Sequence, residues 1–123
     1  MLRESGEHYL ETILLLQHRY GEVRSVDIAR ELSYSKASVS RAMGLLRTKG
    51  YIEIGEHGAI LLTKSGRETA EGIYERHRYL TLFLQQTLEI PKEQAEADAC
   101  RIEHIISNET FAKIHQWVED HTS

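Results

Sequence analysis

SVDIARELSYSKASVSRAMGLLRTKG (Ser25–Gly50), continued by YIEIGEHGAILLTKSG (Tyr51–Gly66), decides how this chain is read. Ser25 can cap a short helix over 26–32, with Ile28, Ala29 and Leu32 facing inward. Ser33-Tyr34 makes a turn. Ser35 then caps a helix over about 36–49, with Val39, Met43 and Leu46 inward, and Gly50 stops it in the left-handed conformation that costs glycine least. Two short helices joined by a tight turn read as a helix-turn-helix. Tyr51–Ile54 and Ala59–Leu62 are short apolar runs around Gly55-Glu56-His57-Gly58, which reads as a β-hairpin.

A hairpin directly after a helix-turn-helix is the wing of a winged helix, and "LLRTKGYIE" (Leu45–Glu53) with "LTKSG" (Leu62–Gly66) fits that pattern. Upstream, Leu10, Ile13, Leu14 and Tyr20 recur at helical spacing over 6–20, with Ser5 as N-cap and Gly21 just past the end. Downstream, Thr63 caps a long helix over about 63–88 whose apolar stripe is Ile73, Leu80, Leu84 and Leu88. Pro91 sits near the first turn of a helix over about 92–106, and Ser107 or Asn108 caps a last one carrying Phe111, Ile114 and Val118. The expected fold is therefore mainly α: a winged helix-turn-helix with a small β-hairpin wing over 1–72, then an all-α domain over 73–123. Ile102, Ile105, Ile106, Phe111, Ile114 and Trp117 are more apolar surface than so short a tail hides alone, so a homodimer is expected.

Composition narrows the class. Hydrophobic residues at 41% and charged residues at 28% suit a folded globular chain rather than a disordered one. The longest unbroken apolar runs, Ile13–Leu16 and Ala59–Leu62, are too short to span a membrane. Glu4, Glu7 and Glu11 interrupt any signal-peptide core, and Cys100 is the single cysteine, so a reducing cytoplasmic setting is expected. A net charge of −4 argues against indiscriminate binding to polyanions. Yet Arg24, Arg30, Lys36, Arg41, Arg47 and Lys49 against Asp27 and Glu31 leave the helix-turn-helix locally basic, while the helical half carries the acidic excess.

Several side chains are metal-ligand types. Cys100, Glu103 and His104 stand at i, i+3 and i+4, which shares one helical face, and thiolate, carboxylate and imidazole suit a divalent transition metal. A buried thiol beside an exposed Glu-His pair would show the same spacing. His8 and Glu11 repeat the i, i+3 logic on the first helix, where a surface role is the alternative. His77 falls inside the stripe of Ile73, Leu80 and Leu84, as a core histidine or one satisfied by a metal.

The order helix-turn-helix, wing, long helix with "RHRYL" (Arg76–Leu80), then "ADACRIEHIIS" (Ala97–Ser107), with "SGEHYLETI" (Ser5–Ile13) at the start, resembles the diphtheria toxin repressor family over nearly the whole chain. That family holds iron-dependent repressors and manganese transport regulators. The resemblance implies a metal-activated transcriptional repressor that binds a double-stranded DNA operator as a homodimer. It implies metal ligation by Cys100, Glu103 and His104, as in iron-type members, and by His77, as in both branches. It gives His8 a ligand position that is methionine or aspartate in the two branches, and Glu11 a carboxylate position of the manganese branch. Thr81 and Glu96 depart from the glutamate and histidine of the iron-type ancillary site, and a manganese-type member would carry a carboxylate at Cys100. Nothing in the sequence matches the SH3-like third domain of many iron-type members, so the two-domain layout of the manganese branch is expected.

The expected cofactor is Fe(II) or Mn(II), with Zn(II), Co(II) or Ni(II) binding in vitro, because a thiolate with imidazoles favours softer ions. For DNA, Ser35, Lys36, Ala37, Ser38, Ser40 and Arg41 start the recognition helix, and Arg47 and Lys49 lie at its end. A winged-helix regulator with no metal trigger is the alternative. No membrane partner or small-molecule substrate is expected, and no separate general base supports an enzyme.

Overall fold

The computed structural model describes Leu2 and residues 4–122; Met1, Arg3 and Ser123, at the ends of the expected domain ranges, lie outside the described residues. The chain forms two compact units, 1–71 and 72–123.

In the first unit, α1 (Glu4–Tyr20) carries Glu4 and Glu7 in its first turn and His18 and Arg19 in its last, the charge order its dipole favours. Leu10, Ile13, Leu14 and Leu16 are buried. Burial of each such side chain stabilises the fold by about 1.5–3 kcal/mol. Two expectations fail at the ends of this helix. Ser5 lies inside the first turn and so is not the N-cap, and Tyr20 is 66% exposed because the helix outruns the core it packs on.

α2 (Ser25–Leu32) is capped by Arg24, whose amide donates to the Asp27 carboxylate at 2.9 Å, so Ser25 is the first helical residue and not the cap. Ser33 takes a left-handed conformation (φ 58°), and the Tyr34 amide returns to the Ala29 carbonyl at 3.1 Å. This is the tight turn into α3 (Lys36–Thr48), where the Ser35 hydroxyl accepts from the Ser38 amide at 3.1 Å. Val39, Met43 and Leu46 are buried on one face of α3, and Gly50 closes it at φ 85°.

The wing pairs β1 (Ile52–Ile54) with β2 (Ile60–Leu62) antiparallel, Ile52 opposite Leu62. Ile52 and Ile60 are buried while Ile54 and Leu61 face out. Thr63 then ties three elements together. Its hydroxyl donates to the Gly50 carbonyl at 2.7 Å and accepts from the Gly66 amide at 3.1 Å, capping α4 (Lys64–Leu88). A Cβ on Gly66 would stand 1.9 Å from the Tyr51 carbonyl oxygen, so only glycine lets α4 approach the strand.

α4 continues into the second unit, which adds α5 (Lys92–Ile102) and α6 (Asn108–His121). Ile73 and Leu80 are buried and Leu84 half-buried, but Leu88, expected on the same stripe, is 64% exposed at the helix end. Ala95 and Ala99 are buried on α5, small enough for close helix packing. Trp117 meets Phe83 edge-to-face, and Tyr79 stacks on His115 at 4.2 Å and donates its hydroxyl to Glu119 at 3.0 Å. That hydrogen bond, more than burial, raises the Tyr79 phenol above its ordinary pKa. Ser107 caps α6 through the Thr110 amide at 3.1 Å. Among the described residues no helix is long and apolar enough to cross a membrane.

Candidate metal centre and nucleic-acid face

α5 stops at Ile102, four residues short of the helix expected over 92–106. Glu103 keeps a helical backbone (φ −57°, ψ −26°), and its amide still reaches the Ala99 carbonyl at 2.9 Å. The amides of Ile105 and Ile106 then both point to the Ile102 carbonyl, at 3.0 Å each, and the chain turns. Glu103 and His104 therefore belong to a turn rather than to the helical face assumed from their spacing. A side chain distant in sequence serves the carbonyls of this turn. Arg76 on α4 donates to the Glu103 carbonyl at 3.2 Å and the Ile106 carbonyl at 2.8 Å, acceptors that a continuing helix would give to its own amides.

The turn brings three of the expected ligands of this unit together. The Glu103 side chain is fully buried, its Oε1 2.8 Å from His77 Nδ1 and its Oε2 3.5 Å from His104 Nε2. His104 is almost fully buried and His77 is mostly so. A carboxylate removed from water costs several kcal/mol unless partners or a cation compensate it. Two imidazoles are such partners, and imidazole is also a metal-ligand type. Donors about 2.1 Å from one ion stand about 3.0–3.5 Å apart, and the His77–Glu103 and Glu103–His104 pairs, of donor types that suit a divalent transition metal, each lie near that separation. Cys100 is half-buried one turn earlier on α5.

Glu96, whose part was open in the sequence, places its Oε2 4.0 Å from His77 Nε2 with its side chain half in solvent. Thr81 is buried and donates its hydroxyl to the His77 carbonyl at 2.7 Å, bracing the helix rather than offering a ligand. In the first unit, His8 is half-buried and Glu11 is 5% exposed, one turn apart on α1, and the Thr12 hydroxyl donates to the His8 carbonyl.

The other face lies on α3. Ser35, Lys36, Ala37, Ser38, Ser40 and Arg41 are all exposed at or near its start, as are Arg47 and Lys49 at its end. The buried stripe of Val39, Met43 and Leu46 turns the opposite side of the helix outward. Ser35 is engaged as the cap and also bonds to the Ser38 hydroxyl at 2.9 Å, which rigidifies the first turn. His57 is exposed in a left-handed conformation (φ 60°) at the wing tip.

The chain thus joins a winged helix to a helical unit that buries a Glu-His cluster. Residues 1–60 match the family model described as the iron dependent repressor, N-terminal DNA binding domain, and residues 63–122 match the iron dependent repressor, metal binding and dimerisation domain. The transcriptional regulator MntR of Escherichia coli O157:H7 is 34% identical over 97% of this chain and 76% of its own length. The iron-dependent repressor IdeR of Mycobacterium tuberculosis (strain ATCC 25618 / H37Rv) is 27% identical over 92% of this chain and 49% of its own. A solved manganese-dependent transcriptional repressor in complex with manganese superposes with a TM-score of 0.85 at 28% identity, over 93% of this chain and 52% of that one. This chain thus spans about half the length of IdeR and of that structure. It belongs to the iron-dependent, or diphtheria toxin, repressor family of metal-dependent transcriptional regulators.

Proposed function

We propose that this chain is a metal-activated repressor that binds double-stranded operator DNA as a homodimer in the cytoplasm and controls the cell's supply of a transition metal, with no catalytic activity of its own. The observation that carries the reading is the buried Glu103 carboxyl group set between His77 and His104, in the part of the chain that matches a metal-binding and dimerisation domain. His77, Cys100, Glu103 and His104 would hold the ion from the second unit, and His8 and Glu11 from the first. When bound, the metal supplies a link between the two sets of ligands. Six donors suffice for one ion or two neighbouring ions.

The remaining steps belong to the protein. In a dimer, the angle between the DNA-binding and helical units sets the separation of the two α3 helices. Operators require half-sites about 34 Å apart or a multiple of it. Ligands that favour the matching angle shift a population already present, by no more than their differential affinity for the two conformers. Arg41 reads guanine through O6 and N7, and Ala37 meets a thymine methyl. Ser35, Lys36, Ser38, Ser40, Arg47 and Lys49 hold phosphates and fix the register.

A thiol beside two imidazoles favours Fe(II) over Mn(II), and the Glu11 and Glu103 carboxyl groups keep Mn(II) close behind. Zn(II), Co(II) and Ni(II) bind in vitro on the same ligands. Relatives described as iron-dependent and as manganese-dependent both support this pair of ions.

The test is anaerobic fluorescence anisotropy on candidate promoter fragments with Fe(II), Mn(II), Zn(II) or chelator, at fixed salt because phosphate contacts make affinity salt-dependent. Metal should tighten binding, and a His77→Ala/Glu103→Ala double variant should lose that response. Sequence-specific binding that ignores chelator would leave the winged helix in place and overturn the metal trigger.

A further inference from the structure

Arg76 immediately precedes His77 on α4, and its guanidinium makes three hydrogen bonds. Nη1 donates to the carbonyls of Glu103 and Ile106, Nη2 to the Asn108 side chain, and the group lies over the Phe111 ring, 5.4 Å from its centroid. These acceptors are the first and last carbonyls of the turn and the first residue of α6. We propose that Arg76 is the positioning residue of this metal centre: it holds the turn open so that the Glu103 carboxyl group meets His77 on one side and His104 on the other, and it fixes the same turn to the start of α6.

The argument is geometric. A helix continuing past Ile102 would satisfy the carbonyls of Glu103 and Ile106 with its own amides and carry His104 onward around the helix. The guanidinium supplies those missing donors from outside. A planar fork with five N–H groups can serve two carbonyls and an amide oxygen while stacking on an aromatic ring; an ammonium of the same charge cannot hold that plane. Because Arg76 and His77 are consecutive, the element that presents one ligand also sets the position of the others. Residues that orient ligands without touching the metal are typically worth about 10- to 100-fold in metal affinity.

This inference rests on the proposed metal site, and the test separates the two. Arg76→Lys keeps the charge and loses the fork; Arg78→Lys, at an exposed neighbour on the same helix, is the control. Titration calorimetry with Mn(II) and the visible spectrum with Co(II) are read on the full chain, and amide exchange is read on the metal-free protein. We expect Arg76→Lys to bind Mn(II) about 10- to 100-fold more weakly. It should also change the intensity of the Co(II) bands and exchange faster at 103–108 without metal. Arg78→Lys should do none of these. A wild-type chain that binds neither ion overturns the metal site itself. A wild-type chain that binds, with Arg76→Lys matching it in affinity and Co(II) spectrum, overturns only the role of Arg76. Should Arg76→Lys lose its helical circular dichroism, Asn108→Ala, which removes one acceptor and no charge, must weaken Mn(II) binding at least about threefold; unchanged affinity would overturn the proposal.

Discussion

Replacing Glu103 by glutamine separates what the carboxyl group does for the metal from what it does for the fold. The side chain is fully buried and its Oε1 is 2.8 Å from His77 Nδ1. Glutamine keeps the volume and a hydrogen-bonding oxygen, so no cavity forms. The exchange turns a charge-assisted hydrogen bond into a neutral one, a loss of about 1 kcal/mol. It also removes the desolvation cost of a buried carboxyl group, which is several kcal/mol before compensation. The metal-free protein should therefore be unchanged or more stable, by about 0–2 kcal/mol. At about 4 °C per kcal/mol for a chain of this size, Tm should rise by up to about 8 °C. In the wild type, metal at 100 times its Kd adds about 2.7 kcal/mol, or roughly 10 °C. The variant should lose that increment, because a neutral amide is a poor ligand for a transition metal. Scanning calorimetry at one protein concentration, with and without Mn(II), reads both effects. A variant that is several kcal/mol less stable without metal would make Glu103 a structural keystone. A variant that keeps the metal-induced rise would remove it from the ligand set.

Arg41→Ala should weaken operator binding by about 1–3 kcal/mol and relax preference at one base pair, read by anisotropy on single-base operator variants. Cys100→Glu should shift the ratio of Mn(II) to Fe(II) affinity towards Mn(II) by about tenfold, read by anaerobic competition, and an equal response to both ions would exclude the thiol as a ligand. Ile105 is 74% exposed, so Ile105→Asp should leave the subunit folded and weaken self-association at least about tenfold by sedimentation; an unaffected dimer would place the interface elsewhere. Gly66→Ala should cost about 3 kcal/mol by chemical denaturation, because its Cβ would lie 1.9 Å from the Tyr51 carbonyl oxygen, and that oxygen is held by the Thr63 amide at 3.1 Å.

What was legible in the sequence was what neighbouring residues decide. Ser35, Thr63 and Ser107 each cap the helix that follows, because a hydroxyl needs only to reach an amide three residues on. The helix-turn-helix and wing followed from apolar spacing and from Gly50. Ser25 and Ser5 show the limit of the same rule. An acidic side chain at 27 captured the amide of Arg24, and α1 began before its serine. Tyr20 and Leu88 kept the helical period but lay beyond the surface their helices pack on, which no local pattern records.

The candidate metal centre was legible in its residue types and illegible in its backbone. Spacing placed Cys100, Glu103 and His104 on a common helix, whereas the helix ends between the first and the second. The deciding donor comes from Arg76, 27 residues from Glu103, and an arginine on a long helix carries no mark in the sequence of what it will hold. That separation has a chemical consequence. Ligands on one rigid helix keep fixed spacings whatever surrounds them. Ligands in a turn held by another helix keep theirs only while that helix and the start of α6 stay in register. Any rotation of α4 that moves His77 also moves Arg76, and with it the carbonyls of Glu103 and Ile106 and the side chain of Asn108. Metal affinity and the position of α6 are then two readings of one set of hydrogen bonds, so a substitution at Asn108, which is no metal ligand, should alter both.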